Sequence, residues 1–436
     1  MQSKFLKQTL RALKHKNYRL FFAGQGISLI GTWMQQIALG WLVYRMTDSA
    51  FLLGLVGFSS QIPTFLLASF AGVLADRVNK HKIIITTQIL AMVQAFILTA
   101  LTLTGTIQIW HIISLSLFSG FINAFDMPTR QSFVIDMVED KNDLPNAIAL
   151  NSSMFNSARL LGPTIAGFVI SSLGEGLCFL INAISYITVI IALFFMKIEP
   201  KVHNKRKEKI FEGLKDGIKY AYDFKPIRAL LLLIGLVSLT GMPYTVLMPV
   251  FSRDILKGDA STLGFLLGAV GIGALIGALY LASRKTVLGL GRWIAMAAGI
   301  FSLGLICFSF SRNLYLSIGL MLFTGFGMML QMASTNTLLQ TLVDDDKRGR
   351  VMSLYVMAFM GTAPFGSILA GSLAGAIGAP YTILISGICC LTGTIIFAKK
   401  LPSLRKHIRP IYIKMGILPE VSTGLQSSTN LRIPPN

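Results

Sequence analysis

The chain alternates between long apolar runs and short polar clusters from one end to the other. Twelve of the runs are long enough to cross about 30 Å of hydrocarbon as helices. They cover approximately 18–44, 51–75, 83–104, 110–131, 145–172, 177–196, 228–250, 261–283, 292–311, 314–338, 349–374 and 379–398. The pattern predicts an all-α polytopic membrane protein with twelve transmembrane helices. An even number of crossings puts both ends of the chain on one side. Of the 39 Lys and Arg, all but five fall on that side; the exceptions are Arg45, Arg253, Lys257 and Arg312 in opposite loops and Arg159 inside a span. Such asymmetry marks the cytoplasmic face.

The longest polar segment after the first six runs divides the chain six plus six. The expected organisation is a basic cytoplasmic leader at 1–17, an N-terminal six-helix half at 18–196, a linker at 197–227, a C-terminal half at 228–398 and a cytoplasmic tail at 399–436. The linker reads as a basic stretch entering an amphipathic surface helix that carries Phe211, Leu214, Ile218 and Tyr222. That suits an electrostatic anchor on anionic lipid. The two halves echo each other. Asn123 to Gly167 runs from polar helix through an acidic turn into a helix bearing Pro163, and Gln331 to Gly371 does the same with Pro364. A parallel repeat at this period in so apolar a chain is the layout of a two-half transporter.

Composition agrees. Hydrophobic residues make up 53%, charged residues 13%, and mean hydropathy is +0.66. Soluble domains carry about 25% charged residues. The net charge of +20 is therefore topogenic charge facing membrane lipid. No soluble face exists on which a nucleic-acid groove could sit. The four cysteines lie in apolar runs without metal-ligand spacing, and no metal site or cofactor is expected. No Gly-x4-Gly-Lys-Ser/Thr loop is present, so ATP hydrolysis is not expected. Gly271-Ile-Gly273-Ala-Leu-Ile-Gly277 mimics a dinucleotide fingerprint but lies inside a span, where glycines serve helix packing.

Polar residues inside the spans form stripes. Ser116, Ser119, Asn123, Asp126 and Arg130 share one narrow face of span four at ~100° per residue. Gln25, Ser28, Thr32, Gln35 and Gln36 do so more loosely in span one. Ser238, Gly241, Tyr244 and Thr245 mark span seven, and Thr324, Gln331, Ser334 and Thr335 mark span ten. Polar faces are costly against lipid and should meet each other or water; a lone Ser or Thr can also bond its own helix backbone.

Arg159 falls near the middle of span five. A midplane arginine costs about 2.5–3.5 kcal/mol or more on insertion scales, so it should be paired or in use. Asp126 is its natural partner, although helix rise places it roughly 8 Å closer to the cytoplasm. The two residues read either as a structural ion pair or as a coupled pair, in which Asp126 takes a proton when substrate leaves Arg159.

Three local motifs carry a family resemblance. The first is Gly72-Val-Leu-Ala-Asp76-Arg77-Val-Asn79-Lys80-His81-Lys82, after span two. The second is Arg159-Leu-Leu-Gly162-Pro163-Thr-Ile-Ala-Gly167, in span five. The third is Asn123-Ala-Phe-Asp126-Met-Pro128-Thr-Arg130-Gln131. Together they resemble the major facilitator superfamily, and within it the transmembrane secretion effector branch that holds the enterobactin exporter and macrolide-efflux proteins. The resemblance implies the major facilitator fold, two six-helix pseudo-repeats with spans one, four, seven and ten around a central cavity.

It further implies a substrate and proton pathway through Gln25, Thr32, Gln36, Asn123, Asp126, Arg130, Arg159 and Gln331. Gly72, Asp76, Arg77 and Lys80 would form a conformational latch, and Gly162, Pro163 and Gly167 the exporter helix motif. Asn79 stands where the loop pattern has glycine, and tolerates a left-handed turn better than most residues. Lys80 stands where it has arginine, and lacks the guanidinium fork.

The function implied is a secondary active exporter of small amphipathic organic molecules, siderophore or drug-like, working by alternating access and proton antiport. It would be a monomer in the bacterial inner membrane, not an enzyme, with substrate, proton and lipids as its partners. A lysophospholipid flippase of the same superfamily is the alternative within the class. An intramembrane enzyme or a non-transporting sensor is the alternative outside it.

Overall fold

A computed structural model describes residues 10–197, 210–284, 286–415 and 417; the side chains of 68–69, 72–77, 210–215 and 345–346 lie outside the described set. Twelve long helical segments cross the bundle. In order they are Lys16–Thr47, Ala50–Arg77, Lys80–Leu103, Ile109–Met137, Leu144–Leu173, Glu175–Phe194, Lys225–Ile255, Ala260–Ala282, Leu290–Phe310, Leu314–Leu342, Lys347–Ile377 and Ala379–Lys414. Among the described residues, ten are both long and apolar enough to cross a membrane. Spans one and five are 32 and 30 residues long but less apolar, because Gln25, Ser28, Gln35 and Gln36 interrupt the first and Asn151, Ser152, Ser153, Asn156 and Ser157 the second.

The packing carries the internal repeat. Span two packs on four, four on three, three on six and six on one; eight packs on ten, ten on nine, nine on twelve and twelve on seven. The second series is the first advanced by six. The halves meet through two pairs related in the same way, span five against eight and span eleven against two. Spans one and four touch little, as do seven and ten, which leaves their polar faces unclosed by one another.

Glycine sets the close approaches. A methyl group on Gly167 would stand 2.9 Å from the Gly264 Cα and 2.8 Å from the Ala260 carbonyl oxygen. One on Gly54 would stand 2.9 Å from the Gly371 Cα. Neither helix pair could approach so closely with a side chain between them. The Gly271–Gly277 run behaves as helix packing requires: Gly271 faces Leu160, while Gly273 and Gly277 face the backbone of span ten at Leu322 and Phe326.

Two spans are not the unbroken helices that the apolar pattern predicts. Span seven passes from α-helix at Lys225–Leu236 into a π turn, a 3-10 segment at Met242–Leu247 and a second π turn at Phe251–Ile255. Pro243 and Pro249 lie in this stretch, and each removes a backbone N–H from the ladder. Span eleven has a π turn at Met357–Gly361 just before Pro364. Its counterpart Pro163 sits inside a continuous helix. Span twelve runs on past residue 398, with Leu401, Leu404, Ile408 and Tyr412 buried. Ile210–Asp223 forms the amphipathic linker helix; residues 198–209 and the last stretch of the tail lie outside the described residues.

The leader is bound to the bundle. Arg11–Lys14 makes one 3-10 turn, and this segment brings two cations and an imidazole to Asp143, in the turn between spans four and five: Arg11 at 3.2 Å, Lys14 at 2.6 Å and His15 at 3.0 Å. Asp143 is buried. The Lys14 hydrogen bond, followed by that of His15, holds its carboxyl below the usual carboxylate range, and Asp143 in turn raises Lys14.

Candidate functional site

Span four positions the central acid. Asp126 is 4% exposed and makes an ion pair with Arg130, one turn along the same helix, at 3.1 Å. Its other oxygen accepts hydrogen bonds from Thr87 and Gln88 of span three, each at 2.9 Å. Tyr186 of span six lies within electrostatic range of both Asp126 and Arg130 and contacts Thr32 at 3.4 Å. The site is therefore a closed set of partners inside the N-terminal half.

The Asp126–Arg159 pair expected from the sequence is not formed. Arg130 lies one turn away and needs no reach across helices, so it takes the carboxylate. Arg159 points to the junction of the halves instead. One guanidinium nitrogen lies 3.6 Å from the Met328 sulfur of span ten, and the group stands 6.0 Å from the Trp33 ring of span one. Tyr244 of span seven is within electrostatic range. Among the described residues, Arg159 has no acidic partner.

The remaining pathway residues divide into two sets. Gln25 and Gln331 are buried, and the Gln25 carbonyl oxygen and both amide atoms of Gln331 lack a hydrogen-bond partner. Ser28, Ser116, Ser334, Thr335 and Tyr244 are likewise buried with unmet hydroxyls. Thr32, Gln36 and Asn123 are exposed. Thr32 donates to the Ser28 carbonyl of its own helix at 2.9 Å, the backbone bonding expected of an isolated threonine.

In the latch loop, Gly72, Asp76 and Arg77 end the helix of span two, and their side chains lie outside the described residues. Lys80 pairs with Asp136 of span four at 3.3 Å, within its own half, and both side chains are 11% exposed. Asn79 has φ −61° and accepts from the Lys82 N–H, so it caps span three and needs no left-handed turn.

The exporter helix motif works on two surfaces. A methyl on Gly162 would collide with the Trp33 Cβ, so this glycine seats span five on span one. Gly167 seats it on span eight across the halves. Pro163 has no N–H to give the Arg159 carbonyl one turn earlier.

Further contacts between the halves run from the end opposite the leader to the middle of the bundle. At that end the Tyr44 hydroxyl donates to Asp254, and Arg253 donates to Asp48 at 2.5 Å and to the Tyr44 carbonyl at 3.4 Å. Gln61 reaches Ser367 at 3.4 Å, and Phe65 packs edge-on against Phe365 with centroids 5.6 Å apart. These contacts and the glycine pairs close this end.

A pseudo-twofold twelve-helix bundle with polar faces on spans one, four, seven and ten is the architecture the motifs imply. The family model for transmembrane secretion effectors matches residues 7–412. The chain belongs to that family. It is a major facilitator transporter in fold and descent.

Among its relatives, the Staphyloferrin A transporter of Staphylococcus aureus is 28% identical, over 87% of this chain and 95% of that one. The multidrug efflux pump Tap of Mycolicibacterium fortuitum is 26% identical, over 88% and 93%. A crystal structure of a bacterial homolog of the human lysosomal transporter Spinster, inward-facing and occupied, superposes with a TM-score of 0.72 at 12% identity, over 90% of this chain and 98% of that one; at that identity the likeness speaks for the fold.

Sequence reasoning missed Thr87, Gln88 and Tyr186 around Asp126, and Trp33 and Met328 around Arg159. Adjacent Thr87 and Gln88 were visible as a polar pair in an apolar span. Trp33, Tyr186 and Met328 read as ordinary span residues.

Proposed function

We propose that this family member is a secondary active exporter of small amphipathic organic molecules, siderophore or drug-like, working by alternating access with proton antiport. The observation that carries the reading is the distribution of contacts between the halves. Charged, aromatic and glycine contacts close one end, while most of the buried polar groups without partners, among them Gln25, Ser28, Gln331, Ser334 and Thr335, lie from mid-bundle toward the other. Rocking the halves about the middle would exchange which end is closed. The relatives, one for a siderophore and one for drugs, support the substrate class.

Asp126 is the proton carrier in this reading. It is a buried acid whose ion pair with Arg130 exists only while it is ionised, so taking a proton frees Arg130. Gly72, Asp76, Arg77 and Lys80 act at the leader's end as the latch for the opposite state, and Gly162, Pro163 and Gly167 hold the seal. The protein works as a monomer in the bacterial inner membrane, with both termini cytoplasmic, and moves its substrate chemically unchanged.

The test is proton release from purified protein in detergent on addition of staphyloferrin A or a macrolide, in wild type and in Asp126→Asn. Release in wild type that vanishes in the variant is expected. Binding without release in wild type overturns proton antiport.

A further inference from the structure

The geometry points to Arg159 as the anchor for an anionic group of the transported molecule, which makes the substrate class organic anions and excludes lipophilic cations. This deepens the exporter reading and rests on it.

A guanidinium presents five N–H donors in a planar fork suited to a carboxylate or similar oxyanion. At Arg159 the protein offers that fork one thioether sulfur, a weak acceptor, and one aromatic face. No acid answers the charge among the described residues. The Asp126–Arg130 pair is neutral as a unit, so it leaves the charge of Arg159 uncompensated among the described residues. Arg159 is not fully withdrawn from solvent.

A second observation is independent of charge. Met328, which touches Arg159, begins a face of span ten that continues through Gln331, Ser334 and Thr335, at about 5 Å per turn. These three are 0%, 0% and 1% exposed, and their amide and hydroxyl groups have no hydrogen-bond partner. The Tyr244 hydroxyl, near Arg159 from span seven, is equally unmet. Buried polar groups are ordinarily satisfied. A neutral polar row leading away from an unanswered cation fits a molecule with an anionic head and hydroxyl or amide groups behind it. The Trp33 ring offers its apolar edge a flat surface.

The experiment measures binding to the purified full-length protein in detergent by calorimetry, with staphyloferrin A, 2,3-dihydroxybenzoate and citrate as anionic probes and ethidium as the cationic one. Accumulation of the same probes in everted vesicles is measured alongside. Wild type should bind at least one anion and not ethidium. Arg159→Gln should lose about tenfold or more of that affinity, as removal of a charge-assisted fork requires. Arg159→Lys should keep part of it, and Gln331→Leu should weaken it less. Size-exclusion profiles establish that each variant is folded.

Equal anion binding by wild type and Arg159→Gln overturns the anchor, as does a wild type that binds ethidium and none of the anions. Ethidium export by both proteins would do so while leaving the exporter reading intact. Anion binding that depends on Arg159 without accumulation in vesicles would leave the anchor standing and remove the exporter reading.

Discussion

Arg130 stands 3.1 Å from Asp126, one turn along the same helix, and both side chains are largely withdrawn from solvent. An i,i+4 pair on a surface helix contributes only about 0.3–0.5 kcal/mol. Here the pair is enclosed, so the larger effect is the cost of breaking it. Asp126→Asn leaves the partly buried Arg130 without its counter-charge and should destabilise the protein by about 2 kcal/mol, less than a fully buried pair would cost. The double variant Asp126→Asn/Arg130→Gln should recover most of that loss in detergent thermal unfolding. Neither should show substrate-dependent proton release.

The closed end depends on backbone contact at Gly167 and Gly264. Gly167→Leu would drive a side chain into the Ala260 carbonyl and the Gly264 Cα. The expected result is a bundle that cannot close at this end. A cysteine placed at Gly40, whose Cβ would lie 3.7 Å from Pro249 across the halves, should then react several-fold faster with a membrane-impermeant maleimide than in the Gly167 parent. An unchanged rate would show that span five does not seal the end.

Two of the polar links across the same end join side chain to side chain, and burial ranks them. The Asp48 side chain is 70% exposed and that of Arg253 38%, so Asp48→Asn should change stability by less than about 1 kcal/mol. Tyr44 is buried at 4% exposure and donates to Asp254. Asp254 is exposed, so water can replace the lost donor, and Tyr44→Phe should cost about 1 kcal/mol, the net worth of one hydrogen bond. A double-mutant cycle on thermal unfolding checks the order, and a larger effect at Asp48 would reverse it.

The leader clamp is titratable. Asp143 has its folded-state pKa depressed, foremost by the Lys14 hydrogen bond. The stabilisation it contributes is present above the unfolded carboxylate pKa and is lost as pH falls through the lower folded value. Lys14 is raised by the same contact, so its share is present below the ordinary lysine pKa and lost only at strongly alkaline pH. Asp143→Asn should therefore unfold at a lower temperature than wild type at pH 7. The gap should close in acid, below the usual carboxylate range.

Much of the site was legible by residue type. Asp126, Arg130, Arg159 and Gln331 stood out because charge and amides inside apolar runs are expensive. Their partners were not legible. Which acid answers which arginine depends on how each helix is rotated and how far it is shifted along its neighbour. Asp126 and Arg159 are both central in sequence, yet the former turns toward spans three and six and the latter toward span ten. The breaks in spans seven and eleven were signalled by Pro243, Pro249 and Pro364, but Pro163 carries the same signal in an unbroken helix. The difference lies in what packs around each proline.

The membrane class, the long apolar helices, the duplication and the polar stripes follow from the sequence alone. Hydrophobic length and the 3.6-residue period act within one helix, where neighbours in sequence are neighbours in space. The tertiary structure alone decided three further things: the end at which the halves meet, the pairing of Lys80 with Asp136 inside one half, and an arginine left without an acid among the described residues at the junction. Those outcomes rest on helix rotation and axial register between segments far apart in sequence, which no local periodicity encodes.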